Sequence, residues 1–169
     1  MNEPLKRLPL HDAHVAAGAR FAPFAGYEMP VRYGSIKEEH AAVRTRAGMF
    51  DVSHMGEVFV RGRDALDALN RLVTNDLRRL ALGQALYTVM CKPDGGIVDD
   101  LIIYRLGHEE LLVCVNASNR AKDFAWICDH LEGDCHAVDD SDAWVQLAVQ
   151  GPSARAIVAS QIGRASCRE

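Results

Sequence analysis

The chain has 169 residues, of which 49% are hydrophobic and 25% charged, with a net charge of −4 and an isoelectric point near 6.0. This is an ordinary soluble globular profile, and the acidic balance argues against a nucleic-acid binder, which would carry a basic face. No apolar run approaches the roughly 20 residues needed to cross a bilayer, and the N-terminus lacks the apolar core of a secretory signal. The sequence therefore predicts a cytoplasmic protein with no membrane or nucleic-acid partner.

The five cysteines indicate reduced thiols rather than a disulfide framework, because their number is odd and no Cys-x-x-Cys pair occurs. Two cysteines and two histidines cluster over residues 128–136. A zinc site is conceivable there, but the spacing matches no standard ligand pattern. No metal site is predicted.

In chain order, the first predicted element is a short helix over residues 11–19. Residues 21–30 are punctuated by glycine and proline and rich in aromatics, which is typical of a loop packed on the core. Ser35 and Glu38 have the spacing of a capping box, which would open a helix that ends before Gly48.

The next elements are a strand over residues 50–61 and a helix over residues 64–73, whose apolar residues fall on one side. Further strands are predicted over residues 85–91, 97–105, 110–115, 135–139 and 144–150. Ser118 or Asn119 can cap a helix that runs to residue 131, and residues 151–153 open a final helix with proline in its first turn.

Together these elements predict an α+β fold with a mostly antiparallel sheet and helices packed on it. Residues 1–162 are assigned to one region. Residues 163–169 lack apolar periodicity and a helix cap, so they are interpreted as a non-native tail or the mark of a truncation.

A predicted hairpin in the middle of the chain carries the clearest chemical signal. Pro93 and Gly95 suit the turn between strands 85–91 and 97–105. The second strand holds two adjacent carboxylates, Asp99 and Asp100, in an otherwise apolar run. A buried carboxylate is unfavourable unless it is paired, hydrogen-bonded or protonated. The pair therefore either ties down a turn or serves chemistry.

Strand alternation separates the two acids. Side chains alternate faces with period two, so Asp100 shares a face with Val98, Ile102 and Tyr104, whereas Asp99 faces the other way. An acid in line with an aromatic hydroxyl and an aliphatic side chain could line a pocket for a flat, partly polar ligand.

Several segments, in register, resemble the T-protein of the glycine cleavage system, a folate-dependent aminomethyltransferase. The strongest is MFDVSHMGE at residues 49–57, and FAGYEMPV at residues 24–31 and the hairpin at residues 95–104 come next. Shorter matches follow in the same order at residues 74–76, 115–117 and 149–152. The resemblance runs from about residue 8 to residue 162 and covers only the N-terminal part of a family member.

The resemblance implies a reaction in which an aminomethyl group passes from the lipoyl arm of H-protein to tetrahydrofolate, with release of ammonia. Tetrahydrofolate is then a co-substrate, lipoylated H-protein is a partner, and the essential acid falls on Asp100. Its implied role is electrostatic: it orients folate and balances the iminium-like carbon that develops during transfer.

Positions that match the family's folate contacts are Met55, Tyr87, Asp100, Ile102, Tyr104 and Asn116. Tyrosine rings can line an aromatic ring system, and an asparagine can donate to and accept from a pterin edge. Without the resemblance, strand tyrosines and a lone methionine would more often be core residues, and the asparagine a turn or cap.

Two neighbouring residues receive structural interpretations. His54 can titrate near neutrality, but a histidine that satisfies backbone groups near a strand explains it without catalysis. Asp99 is interpreted as binding backbone in the turn.

Three alternatives to an active T-protein stay open. One is the folate domain of a dimethylglycine- or sarcosine-type demethylating enzyme, although no G-x-G-x-x-G flavin motif occurs. Another is a non-catalytic folate-binding factor of iron–sulfur assembly. The third is an inactive fragment, since part of the family's folate pocket comes from later domains.

Overall fold

The computed structural model describes residues 4–162, which form helices and antiparallel strands. The helices are α1 (His11–Ala16), α2 (Ile36–Thr45), α3 (Ala65–Asn70), α4 (Arg120–His130) and α5 (Ala154–Ile162). The strands are β1 (Arg20–Phe24), β2 (Tyr27–Arg32), β3 (Gly48–Asp51), β4 (Gly56–Arg61), β5 (Ala85–Cys91), β6 (Ile97–Arg105), β7 (Glu110–Val115), β8 (His136–Asp139) and β9 (Leu147–Gln150). All the pairings between these strands are antiparallel, so the predicted α+β fold with a mostly antiparallel sheet is confirmed. The predicted tail, residues 163–169, lies outside the described residues.

The chain divides into two compact units. The first unit is formed by residues up to His54 and from Val145 onward, and it holds two small sheets, β1–β2 and β3–β9. The second unit, Met55–Trp144, holds a five-stranded sheet in the order β5-β6-β7-β4-β8. Every residue predicted to contact folate lies in the second unit.

The hydrophobic core of the second unit lies on one face of the five-stranded sheet. Strands contribute alternate residues to it, as period-two geometry requires, and α3 and α4 add apolar side chains. Its fully or nearly fully buried members include Val58, Val60, Leu69, Met90, Leu101, Ile103, Leu111, Val113, Val115 and Ile127. The residues between these strand positions therefore point to the opposite face.

Residues 20–32 form a β-hairpin, so the loop predicted over residues 21–30 is wrong. Strands β1 and β2 are joined through Ala25 and Gly26, whose φ angles are 49° and 82°. Two positive φ angles are typical of the two-residue turns that match strand twist. Alanine does not signal such a turn, and the prolines at positions 23 and 30 argue against strands.

The single strand predicted over residues 50–61 is also wrong, because the segment forms β3 and β4 in different sheets. The chain leaves β3 at Asp51, whose Oδ1 accepts the backbone N–H of Ser53 at 2.9 Å. Such a side chain-to-backbone bond mimics a turn and ends the strand.

The capping box predicted at Ser35 is not formed. Ser35 precedes α2 but makes no side-chain capping bond. Instead Glu39 Oε1 accepts the backbone N–H groups of Tyr33 and Gly34 at 2.8 and 2.6 Å. The helices predicted over residues 11–19 and 64–73 end earlier than expected, and the last strand begins only at Leu147. The other predicted elements lie where expected. None of the helices that the structure describes is long and apolar enough to cross a membrane.

Candidate functional site

The face of the five-stranded sheet opposite the core carries the predicted acid. Along β6, Asp99 and Leu101 are buried on the core side, whereas Asp100, Ile102 and Tyr104 are half-buried on the other side. The prediction that Asp100 shares a face with Tyr104 and not with Asp99 is therefore confirmed. We call this surface the Asp100 face.

Strand register supplies neighbours that the sequence does not show. Ile102 lies between Tyr87 of β5 and Cys114 of β7, and Cys114 is paired in turn with Glu57 of β4. Since paired residues point to the same face, Tyr87, Cys114 and Glu57 all belong to the Asp100 face. Residues from four strands thus form one continuous row.

The Asp100 carboxylate is held by two other predicted site residues. The Tyr87 hydroxyl donates to Asp100 Oδ2 at 2.8 Å, and this bond raises the pKa of Tyr87. Asn116 Nδ2 donates to the backbone carbonyl of Asp100 at 3.0 Å and lies 3.4 Å from the Oδ1 of the Asp100 side chain. A carboxylate has about four lone-pair positions, so Asp100 keeps the capacity to accept hydrogen bonds from a ligand.

The remaining predicted contacts lie in the strands of this sheet or directly beside their ends. Asn116 directly follows β7 and Met55 directly precedes β4, one position beyond the last ladder pair, Gly56 with Val115. Tyr104 is half-buried, and burial raises the pKa of its hydroxyl. Tyr87 is 61% exposed, so its ring is open to a ligand. The fold thus brings all the predicted folate contacts to one unit.

Asp99 binds backbone as predicted, but in the strand and not in the turn. Its Oδ1 accepts the backbone N–H of Asp100, within β6, at 3.0 Å and the Nδ2 of Asn116 at 3.2 Å. Its Oδ2 accepts the Nδ2 of Asn119 at 2.9 Å. Asn119 precedes α4 without capping it by a side-chain bond. Asp99 therefore joins Asp100, Asn116 and Asn119 through hydrogen bonds on the core side of β6.

Sequence reasoning missed three residues of this neighbourhood: Glu57, Cys114 and Asp123. Glu57 and Cys114 join the Asp100 face only through the register of β4 with β7, which the sequence does not reveal. Asp123 could have been found, because it lies one helical turn after Asn119, the predicted start of the helix.

His54 belongs to the first unit, where it packs among aromatic rings. Its ring lies edge-on to those of Phe24 and Tyr27, with centroids 5.7 and 6.4 Å away. Burial lowers its pKa. Its Nδ1 is buried and has no hydrogen-bond partner among residues 4–162. The interpretation of His54 as a histidine that satisfies backbone groups has no support at this nitrogen and otherwise stays a prediction.

The histidine and cysteine cluster over residues 128–136 forms no cation site in this structure. Within the described part of the chain, no three His, Cys, Asp or Glu side chains are placed to hold a metal ion together. No disulfide joins the cysteines of that part either. Cys167 lies outside it.

Comparison with known proteins defines the class. The family model described as the GCVT N-terminal domain matches residues 10–169, and the chain belongs to that family. Aminomethyltransferases of Geobacillus kaustophilus and Bacillus subtilis are each 54% identical to it over 154 residues. These alignments cover 91% of this chain but 42% of each relative.

A solved structure agrees with these sequence matches. The glycine cleavage system aminomethyltransferase T from Bartonella henselae superimposes with a TM-score of 0.86 at 37% identity, covering 92% of this chain and 43% of that protein. The chain thus spans less than half the length of the relatives it matches.

Proposed function

We propose that residues 1–162 are the N-terminal folate-binding region of an aminomethyltransferase of glycine cleavage. In this reaction the aminomethyl carbon leaves the lipoyl sulfur of H-protein and becomes bonded to tetrahydrofolate, which yields methylenetetrahydrofolate, ammonia and the reduced lipoyl arm. Lipoylated H-protein and tetrahydrofolate are the proposed partners, and the cytoplasm is the proposed location. Family membership and relatives of that name support the proposal.

The observation that carries the proposal is the arrangement around Asp100. Its carboxylate is half-buried on an accessible sheet face and is held from two sides by Tyr87 and Asn116. A fixed negative charge there can orient a folate nitrogen for attack and stabilise the positive charge that develops on the transferred carbon. Asp100 is therefore the proposed catalytic residue.

The neighbouring side chains suit a flat heteroaromatic ligand. The exposed ring of Tyr87 and the half-buried ring of Tyr104 can line a pterin, and Ile102 and Met55 supply apolar contact. Asn116 donates through Nδ2 to Asp99 and Asp100, so its side-chain oxygen is the group that can accept from a pterin edge. We assign these residues to folate binding.

The test is Asp100→Asn in the full-length gene product, assayed for methylenetetrahydrofolate and ammonia with aminomethyl-loaded H-protein. Asparagine keeps the size and leaves the bond from Asn116 to the backbone carbonyl in place, but it removes the charge and one of the two side-chain acceptor oxygens. Turnover should fall roughly 100-fold or more, as when a group that stabilises transition-state charge is lost, while the circular dichroism spectrum stays unchanged.

Asp94→Asn is the matched control, because Asp94 lies in the turn of the same hairpin and its Oδ1 accepts the N–H of Gly96 at 2.9 Å, a bond that asparagine preserves. This variant should keep full turnover. An Asp100→Asn enzyme with normal turnover would refute the catalytic role, and a wild-type protein that binds no tetrahydrofolate would refute the proposed function itself.

A further inference from the structure

A second acid, Asp123 of α4, lies buried behind the site. Its side chain is fully buried, and neither of its oxygens accepts a hydrogen bond from an N–H or O–H group of the described residues. The mechanism proposed above does not use it. A buried carboxylate that accepts no hydrogen bond is unfavourable, so its position requires an explanation even with Lys122 Nζ 3.3 Å from its Oδ1.

Asn119 Nδ2, at the start of α4, donates to Asp99 Oδ2 at 2.9 Å, and Asp123 follows Asn119 by four residues, one turn further along the same helix face. This spacing puts the carboxyl group of Asp123 beside that of Asp99, and the two carboxyl groups shift each other's pKa in opposite directions. Two adjacent buried carboxylates repel each other, so one of the pair holds a proton. Asp99 receives N–H donors from Asp100, Asn116 and Asn119, which stabilise its charged form. The proton therefore resides on Asp123, which can donate it to Asp99.

The titration of the pair agrees with this geometry. Burial, reinforced by the charge of Asp99, raises the pKa of Asp123 to about 7. For Asp99, burial alone would raise the pKa, but the hydrogen bonds outweigh it and lower the pKa. Asp99 from β6 raises the pKa of Asp123. Lys122 from its own helix, whose Nζ lies 3.3 Å from Asp123 Oδ1, lowers that pKa but is outweighed by burial and by Asp99.

We propose that Asp123 is a positioning residue for the folate site: its protonated carboxyl group hydrogen-bonds to Asp99 and thereby fixes Asn116 and the backbone of Asp100. Asp99 Oδ1 accepts both the backbone N–H of Asp100 and the Nδ2 of Asn116, so a change in the charge near Asp99 alters both hydrogen bonds. Ionisation of Asp123 removes a donor from Asp99 and places a second negative charge beside it. The inference rests on the proposed function only in the use of tetrahydrofolate as the ligand.

Two substitutions separate the hydrogen-bond donor of Asp123 from its capacity to ionise. Asp123→Asn keeps a donor toward Asp99 and cannot ionise, whereas Asp123→Leu removes the donor. Asp129→Asn is the control on the same helix, because Asp129 is exposed. Tetrahydrofolate binding is measured by calorimetry with the full-length gene product between about pH 5.5 and pH 8.5, a range that brackets the raised pKa.

Wild-type affinity should fall as the pH rises through about 7. Asp123→Asn should stay within about threefold of the low-pH wild-type affinity throughout and lose the pH dependence. Asp123→Leu should bind roughly 10- to 100-fold more weakly than the low-pH wild type at every pH, the loss expected for a hydrogen bond to a charged group. The Asp129→Asn control should follow the wild type.

A readout without ligand separates this inference from the proposed function. In wild-type protein, the Asn116 side-chain amide resonances should shift with a midpoint near pH 7, the value of the Asp123 titration, and this shift should be absent in Asp123→Asn. If the shift persists in Asp123→Asn, or if Asp123→Leu binds like the wild type at about pH 5.5, where Asp123 is protonated, the positioning role is refuted. If the shift behaves as expected but no variant binds tetrahydrofolate, the proposed function alone fails.

Discussion

Glu57 is the residue on the Asp100 face with the least explained environment. It is only 4% exposed, and neither side-chain oxygen has a hydrogen-bond partner among the described residues. Its backbone is well anchored, since its N–H donates to Ser141 Oγ at 2.8 Å. Burial raises the pKa of its carboxyl group to about 7, although the charge of Arg120 opposes this. Glu57 therefore titrates near neutral pH, far above the usual range of a carboxyl group.

The raised pKa makes stability depend on pH with a defined sign. Between about 4.5, the pKa in the unfolded chain, and about 7, the folded state binds more protons than the unfolded state. The free energy of unfolding therefore falls as the pH rises through this window, by about 3 kcal/mol for this group, at 1.36 kcal/mol per pKa unit. Glutamine at position 57 cannot ionise and removes this loss.

Urea unfolding of wild type and Glu57→Gln at about pH 5 and about pH 8 checks this. The difference in the free energy of unfolding between Glu57→Gln and the wild type should favour the variant more at the higher pH than at the lower one. Asp123 contributes a slope of the same sign, so the comparison is between variant and wild type rather than between pH values alone. Parallel pH profiles would show that Glu57 does not titrate as its burial implies.

At the junction after β4, the backbone of Gly62 lies close to the backbone of the segment that precedes β8. Gly62 has a φ of 131°, and its N–H donates to the Glu109 carbonyl at 3.0 Å. A Cβ at this position would overlap the carbonyl oxygen of Asp134 and lie 2.6 Å from the Cα of Cys135. Both obstacles are backbone, which a rotamer change cannot relieve.

Gly62→Ala should therefore destabilise the second unit by about 3 kcal/mol or more, through left-handed strain and overlap together. Gly83→Ala is the matched control, because Gly83 also has a positive φ of 77° but meets no atom within 4 Å. The free energy of unfolding of that variant should fall by only about 1 kcal/mol, the cost of a left-handed backbone conformation for alanine. Equal losses in urea unfolding would show that the chain relieves the overlap by moving.

The predictability of the elements follows from how local their signals are. Pro93 and Gly95 in the turn predict the hairpin of β5 and β6. Strand periodicity alone predicts that Asp100 and Asp99 point to opposite faces of the sheet. The β1–β2 hairpin was missed because its turn uses Ala25 in a left-handed conformation, an uncommon choice for that residue.

The candidate site follows the same rule. Asp100, Ile102 and Tyr104 lie on one strand, so their common face could be predicted from spacing. Glu57 and Cys114 depend on the pairing of β4 with β7, strands separated by two others in the chain. Packing in the folded state sets the register between strands that are distant in the chain. This register cannot be predicted from a single sequence by residue patterns.

At the scale of the whole chain, the apolar core is unevenly distributed. The buried hydrophobic side chains of the described part lie almost entirely in the second unit, and the first unit contributes Leu8 and Met29. Several large apolar side chains of the first unit are exposed, among them Ile36 at 68% and Met49 at 66%. Burial of apolar surface is the main favourable term in folding, so the first unit has little of it to offset its conformational entropy.

The two units should therefore differ in local stability. Hydrogen exchange followed by mass spectrometry on this chain should show backbone amides of β1, β2 and α2 exchanging at least roughly tenfold faster than those of β4, β6 and β7, because regions with few buried apolar contacts open first. Met29→Ala should accelerate exchange within the first unit, whereas Ile103→Ala should lower protection in the second. Uniform protection across both units, with one cooperative loss in either variant, would mean that the chain unfolds as a single body despite its uneven core.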